Sequence, residues 1–279
     1  MGDNGLTVHK AAGAVGAFVT DVTLEQLLDD DARFDALLHT AMRHGVVFLR
    51  DQAVDAATFQ SFGRRFGPAV PHDAYGIVAD APDVQVLEST AETPSKIEVW
   101  HSDMTFMESP PSFTLLQGQI IPGYGGDTLW ASAAAAYASL SPPMKSLLDG
   151  VTAVHDFRHG FKESLAEPGG RERLAPVVAQ HPPVSHPVVR THPATGEKAL
   201  FVNALFTTRL EGFTELESQE LLEFLYRHIV AAEHTVRLQW APGTIAIWDN
   251  RVVQHKPVND FFPQHRLMRR VTIQGDRPV

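Results

Sequence analysis

Seven short runs rich in β-branched residues, at 83–87, 112–120, 186–190, 199–202, 235–239, 243–249 and 270–273, constrain this chain more than any other feature. Pro and Gly breaks separate them, and they do not alternate regularly with helical segments. That pattern argues against a wound parallel sheet. It predicts a β-sandwich or jelly roll with helices packed outside. A double sheet of this cupin type is a known host for metal sites inside its mouth.

Helical periodicity appears mostly near the N-terminus. Residues 23–30 carry Leu24, Leu27 and Leu28, and residues 32–44 carry Phe34, Leu37, Leu38 and Met42 at three- and four-residue spacing. Val46-Val47-Phe48-Leu49 then reads as a buried strand, stopped by Arg50-Asp51-Gln52. Asp55 fits the N-cap of a helix holding Phe59, Phe62 and Phe66 before Gly67-Pro68. The Ala-rich tract 131–138 is helix-compatible. The clearest helix is 215–232, opened by a Thr214-Glu215-Leu216-Glu217 capping box, with Leu221, Leu222, Leu225 and Ile229 as its apolar stripe. The expected fold class is mixed α/β (α+β), a double-stranded β-helix (jelly roll, cupin-like) core in one domain over 1–279.

His101-Ser102-Asp103 and a lone His255 carry the strongest chemical signal. In an extended chain, positions i and i+2 project to the same side, so His101 and Asp103 could hold one metal together. His255, far downstream, would supply the third ligand. Two imidazoles and a carboxylate form a facial triad that leaves the opposite positions of an Fe(II) ion open. HxD alone is weak, because a surface Asp beside a buried His is the ordinary reading. The chain has no cysteine, so a bound metal rests on nitrogen and oxygen, and disulfides and thiolate chemistry are excluded.

The segment from Arg266 to Ile273 adds a second constellation. As a strand it puts Arg266, Met268, Arg270 and Thr272 on one face, and Leu267, Arg269, Val271 and Ile273 on the other. Two guanidiniums side by side suit a site holding two small anions, since buried arginines are costly without anionic partners. The plainer alternative is a solvated edge strand with Arg as a gatekeeper. The net charge of −10 argues against nucleic-acid or anionic-membrane surfaces. The N-terminus lacks the pattern of a secretory signal and no apolar stretch reaches membrane-span length, so a cytoplasmic location is expected.

Several quoted motifs together resemble the TauD/TfdA family of Fe(II)/2-oxoglutarate dioxygenases, from about Leu6 to the C-terminus. They are Trp100-His101-Ser102-Asp103-Met104-Thr105-Phe106, Gly125-Gly126-Asp127-Thr128-Leu129-Trp130, His186-Pro187-Val188-Val189-Arg190-Thr191-His192-Pro193, Phe201-Val202-Asn203, and the tail from Trp248-Asp249-Asn250-Arg251 through His255 to Arg266 and Arg270. Within the family, the likeness is to taurine dioxygenases.

The resemblance implies that His101, Asp103 and His255 bind Fe(II), and that Thr128 and Arg266 hold the distal carboxylate of the cosubstrate 2-oxoglutarate. It implies that Arg270 binds the acidic group of the primary substrate, helped by His72 and the backbone near Met104. Tyr75, Phe106, Phe161 and Phe206 would line that pocket. The implied reaction uses O₂ to hydroxylate the carbon next to sulfur in a small sulfonate, releasing sulfite and an aldehyde with succinate and CO₂. By analogy, a homo-oligomer, dimer or higher, is expected.

One departure stands out. Where taurine dioxygenases place a polar residue toward the substrate's amine, this chain has Ile97, and a neighbouring polar pocket position matches Gly160. Losing such a hydrogen bond costs about 1–3 kcal/mol. Ile97 therefore favours a less polar partner, with an alkyl sulfate ester or an aryloxyalkanoate as alternatives to taurine. Glu98 is adjacent but should face the other way.

Rival sites are weaker. His181, His186 and His192 sit in His-Pro pairs without a carboxylate at ligand spacing, which reads as structural. Gly125-Gly126 resembles a phosphate loop, yet no GxGxxG or P-loop follows, and no G-x-S-x-G elbow is present. A non-enzymatic module with a structural zinc would need four convergent ligands where three are found. Trp100 and Trp248 read as packing residues shielding the metal.

Overall fold

Along the central strands, successive side chains face different cores. Val46, Phe48, Ala246, Trp248 and Leu116 share one apolar cluster, while Val47, Leu49, Ile245, Ile247 and Leu115 belong to another. Such two-sided burial makes these runs continuously apolar. The structure, a computed structural model, describes residues 5–70, 75–94 and 97–279.

In chain order, the N-terminal part holds β1 (Thr7–Lys10), β2 (Ala17–Thr20), α1 (Leu24–Asp29), α2 (Asp31–His44), β3 (Val46–Leu49), α3 (Ala56–Arg64), β4 (Gly76–Val78) and β5 (Ala81–Ser89). The middle holds β6 (Phe113–Ile120), β7 (Thr128–Ser132), α4 (Ala133–Ser139), α5 (Pro142–Leu148), β8 (Thr152–His155), α6 (Phe157–Gly160), α7 (Lys162–Ala166) and α8 (Gly170–Gln180). The remainder holds β9 (Val184–Pro187), β10 (Val189–Thr191), β11 (Lys198–Leu200), β12 (Thr207–Leu210), α9 (Glu215–Ile229), β13 (Thr235–Leu238), β14 (Ile245–Asp249), β15 (Val253–Pro257) and β16 (Arg266–Thr272).

The main sheet runs β1-β2-β3-β14-β6-β16-β5-β4. Its pairings are antiparallel except β2 with β3. One face carries α1, α2 and α3, whose Leu24, Leu27, Phe34, Leu37, Phe59 and Phe62 join Val271 and Ile273 in the second core. The other face shares the first core with a smaller sheet, β13-β7-β15, through Trp130, Val236, Leu238 and Val253. The expected mixed α/β class is what the chain adopts.

Local chemistry explains most element ends. Thr214 and Glu217 form the expected reciprocal capping box, and the Asp55 side chain accepts from the Thr58 N–H at the start of α3. Other boundaries differ from expectation. Helix α9 stops at Ile229, and α3 ends before Phe66, although Phe66 still packs edge-on to Phe34 and Phe62. The run 186–190 is two strands. Val188 divides them because its N–H donates to Val151 while its carbonyl accepts from Phe201. The tract 131–138 begins as strand, since Ala131 and Ser132 pair with β15 before the Ser132 hydroxyl caps α4.

Candidate active site

His101 and His255 pair directly. The His101 N–H donates to the His255 carbonyl at 3.0 Å, and the His255 N–H returns a bond to the His101 carbonyl at 2.7 Å. This isolated antiparallel bridge sets the two imidazoles 4.2 Å apart between ring centres. Strand β15 positions His255. The expected extended segment through Asp103 does not form: beyond Ser102 the chain turns, and Asp103 begins that turn. Its carboxylate still reaches both rings, with Oδ1 at 3.8 Å from the Nε2 of His101 and of His255. The three donor atoms lie within 4.8 Å of one another, all on buried residues.

Hydrogen bonds aim His101 and Asp103, while His255 Nδ1 is buried with no partner among the described residues. The His101 Nδ1–H donates to the Val99 carbonyl at 2.8 Å, which leaves Nε2 as the lone-pair nitrogen. Asp103 Oδ2 accepts from the Thr114 hydroxyl at 2.7 Å. Thr114 in turn accepts from the Asn250 amide, whose Oδ1 accepts from the Asp103 N–H and the Trp248 indole. Trp248 packs against His255, 4.7 Å between ring centres.

Electrostatics sets the protonation these ligands need. Burial pushes His255 down to about 3, with the His101 and Arg270 charges adding to the effect and Asp103 opposing it. Burial also lowers His101, against the opposing pull of Asp103. For Asp103, burial alone would raise the carboxyl, but the His255, Arg270 and His101 charges and the Thr114 hydrogen bond outweigh it and hold it low. Two neutral imidazoles and one carboxylate are the form that binds a divalent cation, so the donor set fits one.

A cavity of about 700 Å³ opens from the three donors. Arg266, Arg270 and Thr128 line it, so the alternation read for β16 holds, with Met268 buried in the first core and Val271 in the second. Arg266 and Arg270 each keep a buried Nε with no hydrogen-bond partner among the described residues. Burial pulls Arg266 down to about 10, with Asp127 opposing. Such donors call for an anion. Thr128 accepts from the Trp240 indole at 3.0 Å, which leaves its own O–H to donate. Gly126, at φ +69°, lies against Arg266: a Cβ there would sit 3.3 Å from the arginine Cδ. The Arg266, Thr128 and Gly126 corner therefore fits a carboxylate.

Arg270 lines the same cavity, 4.7 Å over the Tyr75 ring, and donates to Gln85 at 3.0 Å. Ile97, Phe161 and Gly160 also line the cavity, with Val86, Leu87 and Leu205. Met104, Phe106 and Phe206 sit in a buried apolar cluster with Phe157, Leu174 and Leu205, against which Ile97 and Phe161 pack. The Phe206 ring lies 6.5 Å from His101. His72 falls outside the described residues. Glu98 lines a separate surface groove with Tyr226 and Arg227, facing away as expected.

The rival histidines are structural. His186 Nε2–H donates to the Thr105 and Met107 carbonyls, His192 donates to buried Asp249 at 2.9 Å, and His181 packs on Phe106. His192 does meet a carboxylate, but one distant in sequence. Sequence reasoning missed Thr114 and gave Asn250 no role; a threonine inside a strand and an asparagine after one carry no local signal.

Comparison with known proteins bears on this arrangement. The family model described as taurine catabolism dioxygenase TauD, TfdA family, matches residues 6–272. An alpha-ketoglutarate-dependent sulfate ester dioxygenase of Pseudomonas putida is 36% identical, covering 98% of this chain and 91% of its own. An alkylsulfatase of Acinetobacter baylyi is 37% identical, covering 97% of this chain and 86% of its own. Among solved structures, a putative alpha-ketoglutarate-dependent taurine dioxygenase from Burkholderia xenovorans superimposes with a TM-score of 0.84 at 33% identity, covering 98% of this chain and 91% of that one. With triad, paired arginines and full-length likeness in agreement, the chain belongs to the TauD/TfdA family of dioxygenases that depend on alpha-ketoglutarate (2-oxoglutarate).

Proposed function

We propose that this dioxygenase, one domain over residues 1–279 with a jelly-roll core, hydroxylates the carbon bearing a sulfur oxyanion group in a small anion with an apolar tail. The reading rests on one observation. The cavity that holds Arg270 is also lined by Ile97, Phe161, Val86 and Leu205, with Gly160 adding no side chain; Glu88, Glu163 and Asn259 line it as well. Taurine's amine would have to be stripped of water against Ile97, at a cost of about 1–3 kcal/mol. An alkyl chain gains there instead, roughly 0.8 kcal/mol per buried CH₂. The two relatives with sulfate-ester names make an alkyl sulfate ester the first candidate and an alkylsulfonate the second.

His101, Asp103 and His255 would hold Fe(II), and Arg266 with Thr128 would hold the distal carboxylate of 2-oxoglutarate. With O₂, that pair would supply the oxidant for C–H hydroxylation and yield succinate and CO₂. The protein's part is position and charge. The Arg270 fork takes the sulfate or sulfonate oxygens. Tyr75 covers the guanidinium face, and the apolar wall sets the chain so that its first carbon faces the triad. Hydroxylated there, an ester collapses to sulfate and an aldehyde; a sulfonate gives sulfite and an aldehyde.

The test compares hexyl sulfate, hexanesulfonate, taurine and phenoxyacetate, reading sulfate, sulfite and succinate. Alkyl substrates should exceed taurine at least tenfold in kcat/KM, with product release dependent on iron and 2-oxoglutarate. Taurine turned over as well as the alkyl substrates would overturn the apolar-tail reading. Turnover unaffected by omitting 2-oxoglutarate would overturn the reaction.

A further inference from the structure

The turn that carries Asp103 is held from its far side by polar groups that the reaction does not use. Thr105 is the centre of the arrangement. Its hydroxyl oxygen accepts from the Asn203 amide at 2.9 Å and lies 2.9 Å from His155 Nδ1. Its carbonyl accepts from His186 Nε2 at 3.0 Å, and the same imidazole nitrogen is 3.0 Å from the Met107 carbonyl. Thr105, His155, His186 and Asn203 are each at most 2% exposed.

The direction of each bond follows from the groups available. Asn203 Oδ1 is occupied by the Leu205 and Phe206 N–H groups, so its amide nitrogen faces Thr105 and donates. The Thr105 hydroxyl then has one hydrogen left, and His155 Nδ1 is its acceptor. The imidazole N–H of His155 goes to the Phe201 carbonyl, and burial keeps His155 well below its ordinary range and neutral. The Thr207 hydroxyl adds longer contacts of 3.5 and 3.4 Å to Nδ1 and Nε2 of His155. A buried chain of this kind favours one geometry, because a shifted turn would strand several polar groups at once.

The turn needs such a hold. Met104, between Asp103 and Thr105, sits at φ +45°, a conformation that non-glycine residues rarely adopt. From the opposite side, Thr114 and Asn250 fix Asp103 Oδ2 and its N–H. The same Asn203 fixes Leu205, a wall of the cavity, and Phe206, beside His101.

We propose that Thr105, Asn203 and His155 are positioning residues: they hold the strained turn so that the Asp103 carboxylate meets the two imidazoles, and they lock the opposite cavity wall to that turn. The inference rests on the metal role proposed for His101, Asp103 and His255.

The test measures Co(II) affinity and the visible Co(II) spectrum of metal-free protein, alongside its thermal midpoint. Thr105→Val is nearly isosteric and removes the hydroxyl; Thr105→Ser restores it. The valine variant should lose about tenfold or more in Co(II) affinity and show an altered spectrum, while the serine variant stays within about threefold of wild type. Wild-type affinity and spectrum in Thr105→Val would overturn the proposal, whatever its thermal midpoint. If the valine variant does not fold, His155→Phe, which keeps the ring packing on Phe201 and removes the acceptor, is read by the same criterion. Wild-type protein that fails to bind Co(II) would instead bring down the metal site itself, and this inference with it.

Discussion

Arg266 and Arg270 stand on one face of β16, flanking the buried Met268, and both line the same cavity with a buried Nε that no described residue accepts from. In the proposed function, their separation along the strand gives each its own anion. Replacing each by lysine should separate the two roles. Arg266→Lys is expected to weaken 2-oxoglutarate binding by about 1.5–3 kcal/mol, roughly 10- to 150-fold, with little change in affinity for the organosulfur substrate. Arg270→Lys should do the reverse. Titration of each ligand separately against each variant checks this, and equal losses for both ligands in either variant would contradict it.

Asp103 is the only carboxylate in the triad, and Thr114 is its buried hydrogen-bond donor. Asp103→Ala should abolish metal-dependent turnover, while Thr114→Val should lower metal affinity by about 10- to 100-fold and leave the fold intact. Equilibrium dialysis against Fe(II) or Co(II) measures both. Full activity in Asp103→Ala would revive a non-catalytic role for the site.

Ile97→Asn returns a polar group to the cavity wall. Taurine turnover should rise relative to hexyl sulfate, with the ratio of kcat/KM values moving by about tenfold, within the 1–3 kcal/mol range for such a contact. An unchanged ratio would mean that the substrate's tail does not reach this wall.

Gly160 backs directly onto Phe206, where a Cβ would sit 2.6 Å from the ring and 3.0 Å from the Leu205 carbonyl. Gly160→Ala must therefore displace that aromatic ring and the Leu205 wall. Longer alkyl substrates are expected to lose more than short ones, by at least about tenfold between ethyl and octyl chains, an overpacking cost of roughly 1–3 kcal/mol. A uniform loss across chain lengths would place the tail elsewhere.

Burial depresses the folded-state pKa of His101, His155, His186 and His255. The unfolded chain then binds more protons than the folded one as pH falls below the ordinary histidine value of about 6.5. Stability of the metal-free protein should be full above that pH and fall below it, by up to about 1.4 kcal/mol per pH unit for each such histidine. Urea midpoints taken between about pH 7.5 and 5 test the sign. A flat profile would show that these imidazoles take up protons in the fold as readily as in the unfolded chain.

The parts of this protein that were legible in its sequence are those written by local periodicity. The two faces of β16 follow from alternation alone, and the caps at Asp55 and Thr214 follow from side chains a few residues from the backbone they satisfy. The HxD triplet pointed to a metal, but the extended backbone inferred for it did not survive. Asp103 reaches the site through a turn, and that turn is held by Thr114 and Asn250 and, through its own Thr105, by Asn203 and His155, all from other strands and loops. No local pattern distinguishes a threonine that orients a carboxylate from one that fills a strand. Likewise, His186 and His192 looked like a cluster along the chain, yet the fold gives each a separate partner.

The reciprocal bond between His101 and His255 joins segments separated by more than half of the chain. During synthesis the first imidazole and its carboxylate emerge long before the second imidazole exists. No chain that stops short of β15, which lies beside β7, can present all three donors. Fragments ending before β15 should therefore carry no tight divalent-cation site however well their helices form.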